Sequence, residues 1–187
     1  GRLTWPAVAM LLDSEQPGFD ALIAPGHVSA VMGADEWLFV PEKHGLPAAV
    51  AGFSPESLLA AFYAVIRQKL EGTAGLTNCY PEVVKPQGNA AARRLLAASF
   101  DIGDAPWRGV GSIPASGYHL KGVLRRHDAR EHLPDHGAEQ RRRGGEMPPG
   151  CDCARVVLGK IPPTSCKLYG QPCTPRSPIG PCMVSDE

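Results

Sequence analysis

Five of the six cysteines fall in the last 37 residues, and nothing else in the sequence limits the fold as strongly. Cys79 stands alone; Cys151, Cys153, Cys166, Cys173 and Cys182 form a dense tail. A secreted protein stapled by disulfides would spread its cysteines through the fold. A cysteine-poor body followed by a dense tail points instead to a local metal or cluster site. The tail runs Cys151-x-Cys153, then twelve residues to Cys166, six to Cys173 and eight to Cys182. Thiolates bind soft metals and iron–sulfur clusters, and four of them hold a [4Fe–4S] cube. Structural zinc sites usually show cysteine pairs with two to four residues between them, whereas Cys151 and Cys153 have one between them and the other gaps are long. Pro162, Pro163, Pro172, Pro175, Pro178 and Pro181, with Gly170 and Gly180, forbid regular helix and strand across the tail. A segment with so little apolar material needs something at its centre to order it. The residues alone leave a cluster, a zinc site, and disulfides or free thiols as open readings, with all five tail cysteines as candidate metal ligands.

The body has a different character. Across the whole chain 19 basic and 19 acidic residues balance, leaving no electrostatic footprint for nucleic acid. No stretch approaches the roughly 20 apolar residues of a membrane span. The opening Gly1-Arg2-Leu3-Thr4-Trp5 has no initiator Met, basic region or long apolar run, and reads as an internal cut. The expected location is the cytoplasm.

Hydrophobic period predicts alternating helices and strands over the first 130 or so residues. Thr4 is expected to cap a helix with Pro6 in its first turn, stopped by Pro17-Gly18. Asp20 to Ala24 suits a buried strand feeding the turn Pro25-Gly26, and Leu38-Phe39-Val40 ends at Pro41. Ala48 to Phe53 is a second buried-strand candidate. Ser54 as N-cap and Pro55 at N1 open the clearest helix. Leu58, Leu59, Phe62, Val65, Ile66 and Leu70 form its stripe, and Gly72 ends it. Asn89 caps another helix, with Ala92, Leu95, Leu96 and Phe100 on one face, and Gly109 to Ile113 suits a last strand. The pattern predicts an α/β fold with a Rossmann-like, layered, largely parallel sheet, followed by a small irregular cysteine-rich segment. The expected division is an α/β domain over 1–133, a linker over 134–150 and the cysteine-rich segment over 151–187. The Arg141-Arg142-Arg143 run reads as a solvated stretch of that linker.

Three further features carry chemistry or its absence. Pro25-Gly26-His27-Val28-Ser29 follows a predicted strand, and open α/β sheets bind ligands at the carboxyl ends of their strands. His27 is therefore a candidate site residue, weighed against a surface imidazole bonded to a loop carbonyl. Gly109-Val110-Gly111 and Ser116-Gly117 do not make a dinucleotide fingerprint. Cys79, beside Tyr80 and Pro81, reads as an inert packed thiol.

Several stretches together resemble one known family. They are Ala24-Pro-Gly-His-Val-Ser29, Phe39-Val-Pro-Glu-Lys-His-Gly-Leu-Pro47, Gly52-Phe-Ser-Pro55, Tyr80-Pro-Glu-Val-Val-Lys-Pro-Gln-Gly-Asn89 and Trp107-Arg-Gly-Val-Gly-Ser-Ile-Pro-Ala-Ser-Gly117. The most specific is Cys166-Lys-Leu-Tyr-Gly-Gln-Pro-Cys-Thr-Pro-Arg-Ser-Pro-Ile-Gly-Pro-Cys-Met-Val-Ser185. The chain resembles the C-terminal portion of the HypD family of [NiFe]-hydrogenase maturation factors. The resemblance implies two α/β domains, a [4Fe–4S] cluster in the C-terminal domain, and partnership with a HypC-like chaperone and a HypE-like cyanide donor. Together these assemble an iron carrying two cyanides and one carbon monoxide, so the role is that of a maturation scaffold and redox factor more than of an enzyme in the usual sense.

Carried onto this sequence, the resemblance implies cluster ligation by Cys166, Cys173 and Cys182 plus one of Cys151 and Cys153. Cys153 is preferred, because the family's C-G-E-V-L-x-G stretch aligns with Cys153-Ala-Arg-Val-Val-Leu-Gly159. It also implies that His27 faces the cleft where the iron is assembled. The family's C-G-T-H-E and G-P-G-C-P-V-C motifs do not occur here. The expectation is therefore a fragment that keeps the cluster site and lacks the iron-assembly thiols. The competing expectation is a zinc-stabilised interaction module on an α/β domain, with no redox role.

Overall fold

The computed structural model describes residues 1–13, 18–132 and 147–184. The Arg141–Arg143 run and most of the expected linker lie outside the described residues. The chain divides into two compact units, Phe19–Phe100 and the described residues of Gly1–Gly18 with Asp101–Glu187. This grouping runs differently from the expected division at 133 and 150, since it sets the residues after Phe100 with the cysteine-rich segment.

In the unit Phe19–Phe100 three parallel strands stand in the order β1 (Leu22–Pro25), β2 (Ala48–Ala51), β3 (Leu76–Asn78). Leu22 lies opposite Ala48 and Pro25 opposite Ala51, while Ala48 pairs with Leu76 and Val50 with Asn78. The central strand, Ala48-Ala49-Val50-Ala51, is buried throughout. An unbroken run of small apolar residues is the pattern of a strand covered on both faces.

The first crossover holds α2 (Gly26–Met32), a short 3-10 turn over Ala34–Trp37 and α3 (Phe39–His44). Pro25-Gly26, expected as a turn, thus leads directly into a helix. The apolar run expected to end at Pro41 continues as α3, because proline in a helix's first turn removes an N–H that has no partner there. The second crossover is α4 (Pro55–Glu71), formed as its signals predict. Ser54 Oγ accepts the Ser57 N–H at 3.3 Å, and Gly72 closes the helix in the left-handed region at φ 66°. Ala61 and Val65 of α4 pack on Ala49 and Ala51, with Ile23, Leu58 and Cys79 completing the cluster. The expected single stripe on α4 is in fact split: Leu58 and Val65 face the sheet, while Leu59, Phe62, Ile66 and Leu70 face outward. The helix α5 (Ala90–Ser99) is capped by Asn89, whose Oδ1 accepts the Ala92 N–H at 3.0 Å. None of its residues is buried, and Phe100 leaves the helix to begin a strand.

The other unit departs most from expectation. A two-stranded antiparallel pair, β4 (Phe100–Trp107) and β5 (Gly111–Leu120), replaces the single strand predicted near Gly109, so the protein is mixed α/β, with an antiparallel pair as well as the parallel sheet. Trp107 Nε1 donates to Ser116 Oγ at 2.8 Å, and that hydroxyl donates to the Ile113 carbonyl at 2.8 Å, fastening the hairpin through a buried serine. The Leu3 N–H bonds the Ser116 carbonyl at 2.8 Å, and α1 (Thr4–Leu12) follows against β5. Leu3 rather than Thr4 takes the N-cap position, and Thr4 Oγ1 is left buried without a hydrogen-bond partner. Among the described residues this unit also holds two short α-helices, α6 (Ala129–His132) and α7 (Cys153–Val157). Among the described residues no helix is long and apolar enough to cross a membrane.

Candidate functional site

The tail cysteines converge. Proline and glycine break residues 147–184 into tight turns, and each turn delivers one thiol to a common place. The Cys166 N–H bonds the Pro163 carbonyl at 3.0 Å, closing a 3-10 turn, and the Tyr169 N–H bonds the Cys166 carbonyl at 3.0 Å in the next turn. The Cys173 N–H bonds Leu168 O at 2.8 Å, and the Met183 N–H bonds Gly180 O at 3.1 Å around Cys182. The result is a pocket of about 230 Å³ lined by Cys151, Cys166, Cys173 and Cys182, with Val156 and Met183 among its apolar walls. All six cysteines of the chain are free thiols.

Cys153 does not line that pocket. It is fully buried at the start of α7, and its Sγ accepts the Cys182 N–H at 3.0 Å. Burial, with hydrogen bonding to the Cys182 thiol, pushes its own thiol up to about 12. Burial also raises Cys151, with smaller contributions from the charges of Cys166, Cys182 and Cys173, against a lowering by the Cys153 backbone N–H. Geometry separates the two: Cys151 lines the cavity and Cys153 stands behind Cys182. Gly180 makes the arrangement fit, since a Cβ there would lie 2.6 Å from Cys151 Sγ and 2.9 Å from Cys153 Cβ. Cys173 Sγ accepts the Ile179 N–H at 3.3 Å, so backbone amides already point at two sulfurs of the group.

The donor set suits iron or zinc by chemistry. Four thiolates on one zinc, with Zn–S near 2.3 Å, stand about 3.8 Å apart. Among the described residues no group of three or more His, Cys, Asp or Glu side chains is drawn together to hold a single ion. A polynuclear group takes one thiolate at each of several metals and so needs a lined cavity rather than a point.

His27 belongs to the other unit. The carboxyl ends of the three parallel strands carry Gly26-His27, Gly52-Phe53 and Cys79-Tyr80. His27 is exposed in the first turn of α2, with its ring edge-on to Phe53 at a centroid distance of 4.8 Å. Ser29 of the same motif serves the core: its hydroxyl donates to the Pro25 carbonyl at 2.9 Å and accepts from Trp37 Nε1 at 3.0 Å. Cys79 packs against the core cluster and burial raises its thiol, consistent with an inert side chain. Two residues that sequence inspection passed over fix this end of the sheet. Ser57 Oγ accepts the Gly52 N–H at 2.8 Å and donates to the Cys79 carbonyl at 2.8 Å. Tyr80 lies over Gly26 and Gly52, where added Cβ atoms would approach its ring within 2.8 and 3.1 Å. The signal was there in two glycines that each follow a strand.

The family model described as "HypD: Hydrogenase formation hypA family" matches residues 1–187. The chain belongs to the HypD family. It is 37% identical over 186 residues to a putative hydrogenase expression/formation protein of Methanocaldococcus jannaschii, covering 100% of this chain and 50% of that protein. It is 38% identical over 181 residues to the hydrogenase maturation factor HypD of Rhodobacter capsulatus, covering 96% of this chain and 48% of the relative. For the Escherichia coli hydrogenase maturation factor HypD the identity is 36% over 186 residues, covering 97% and 48%. The chain thus spans about half the length of the curated relatives it matches. Within this HypD-family chain, the matched range takes in both the cysteine cavity and the strand ends around His27.

Proposed function

We propose that this chain acts in hydrogenase maturation, and that its cysteine cavity holds a [4Fe–4S] cluster through Cys151, Cys166, Cys173 and Cys182. The reading rests on four thiols lining one cavity in a chain of the HypD family. A bound cluster would supply one-electron transfer. The protein's part is to release the thiol protons on loading, to shield the site with Val156 and Met183, and to set the Ile179 amide toward Cys173 Sγ. Cys153, behind Cys182, positions that residue's backbone.

The wider reading keeps a HypC-like chaperone and a HypE-like cyanide donor as partners, and an iron carrying two cyanides and one carbon monoxide as cargo. His27, at the carboxyl ends of parallel strands, would meet that iron. The chain lacks the C-G-T-H-E and G-P-G-C-P-V-C thiols. Cargo assembly would then need a cysteine from outside residues 1–187, because iron held for ligand addition calls for soft anionic donors of its own.

Anaerobic reconstitution followed by iron, sulfide and visible-absorption assays tests the site. Brown protein with matching iron and sulfide is expected. Cys151→Ala, Cys166→Ala, Cys173→Ala and Cys182→Ala should each lose most of the cluster, and Cys153→Ala less than Cys151→Ala. A colourless protein that takes up zinc in place of iron would establish the zinc-stabilised module instead. Full cluster content in the Cys166 and Cys173 variants would remove the assignment. Infrared spectra of the chain with both partners should show no cyanide or carbonyl bands.

A further inference from the structure

The helix α4 is apolar on two opposite faces. At 3.6 residues per turn, Leu59, Phe62, Tyr63, Ile66 and Leu70 fall in one band about 100° wide, opposite the Ala61 and Val65 face that packs on the sheet. Their exposures are 69%, 52%, 67%, 56% and 83%. Single exposed apolar residues are ordinary, but five in one continuous stripe mark an interaction surface. A helix hydrophobic all round belongs in an interior.

The stripe continues at Tyr63 into a groove of about 490 Å³, bounded by Ala64 and Gln68 of α4 on one side and by Gly75, Leu76 and Thr77 on the other. The far wall is β3, an edge strand of a sheet that has three strands among the described residues. Sheets usually have four to six, and an open edge offers unpaired backbone groups to another chain. The matched relatives supply the length: each carries about as much polypeptide again beyond the half this chain matches. A second copy of this chain fits less well. A two-fold contact would set stripe against stripe and leave the groove beside β3 uncovered.

We infer that the outer face of α4 and the groove beside β3 seat the half of a family-length HypD polypeptide that this chain does not match. The inference rests on family membership and is independent of the cluster reading. The test places the photocrosslinker p-benzoylphenylalanine at position 63 of the whole chain, co-expressed with the unmatched half of the Methanocaldococcus jannaschii relative. Crosslinked peptides are then mapped by mass spectrometry.

Crosslinks to that half are expected, falling at least fivefold in Ile66→Glu, with none from the same probe at exposed Val123. Should Ile66→Glu lower helicity by circular dichroism, the milder Leu59→Gln takes its place in the comparison. Crosslinks joining two copies of this chain, no crosslinks to the unmatched half, or a yield indifferent to the α4 substitutions would overturn the inference.

Discussion

In β2 four consecutive residues, Ala48 to Ala51, are at most 5% exposed, whereas in residues 147–184 the buried positions are Cys153, Cys173 and Gly180. The sheet is ordered by removing hydrocarbon from water, and its polar atoms are tied off at its rim by serine and asparagine side chains. In the cysteine segment the interior consists of thiols and a glycine. Its turns are fixed by backbone hydrogen bonds, each worth about 1 kcal/mol net. The first region carries its stability in itself. The second encloses thiols before it encloses a core, so a group bound there would add its binding free energy to the segment's stability.

That contrast can be broken from the apolar side first. Val50→Asp sets an unpaired carboxylate between the outer strands, and should cost more than about 4 kcal/mol and unfold the unit Phe19–Phe100, as read by urea denaturation. Ser57→Ala deletes one hydroxyl and strands both the Gly52 N–H and the Cys79 carbonyl. A loss of about 1–3 kcal/mol is expected in the same measurement. Gly180→Ala sharpens the comparison from the other side. Its methyl group would press on Cys151 and Cys153, so iron and sulfide content after reconstitution should fall while the unfolding free energy of the sheet unit in urea stays within about 0.5 kcal/mol of the parent. An equal drop in both readouts would show that the two regions do not stand apart.

Where local chemistry decides, the sequence already showed the result. Ser54, Pro55 and Gly72 mark α4 to the residue because capping acts within a few positions, and Asn89 does the same for α5. The run Ala48 to Ala51 declares a strand buried on both faces. The hairpin β4–β5 stayed hidden. Phe100-Asp101-Ile102-Gly103-Asp104 is polar enough to resemble a loop, and Pro106 and Pro114 stand inside the strands. Pairing comes from the distant Trp107–Ser116 contact and from Asp104, whose carboxylate accepts the N–H of Ala115 at 3.0 Å in its left-handed conformation. In the tail, spacing named five thiols but not the four that share a cavity. Cys151 and Cys153 are one residue apart, and only the turn into α7 sends one to the pocket and the other behind Cys182. The outward stripe of α4 escaped for a related reason: hydrophobic period marks an apolar face without saying how many partners the helix has.

The bridge made by the Ser57 hydroxyl has a consequence in time as well as in energy. The Gly52 amide hydrogen points at a buried oxygen carried by the first turn of α4, not at a neighbouring strand. It can trade with solvent deuterium only when that turn lifts from the end of β2, whereas the Cys79 N–H, bonded to the Val50 carbonyl, waits for the strands themselves to part. One exchangeable hydrogen thus clocks the loosening of helix from sheet and another the loosening of strand from strand, within 30 residues of the same chain.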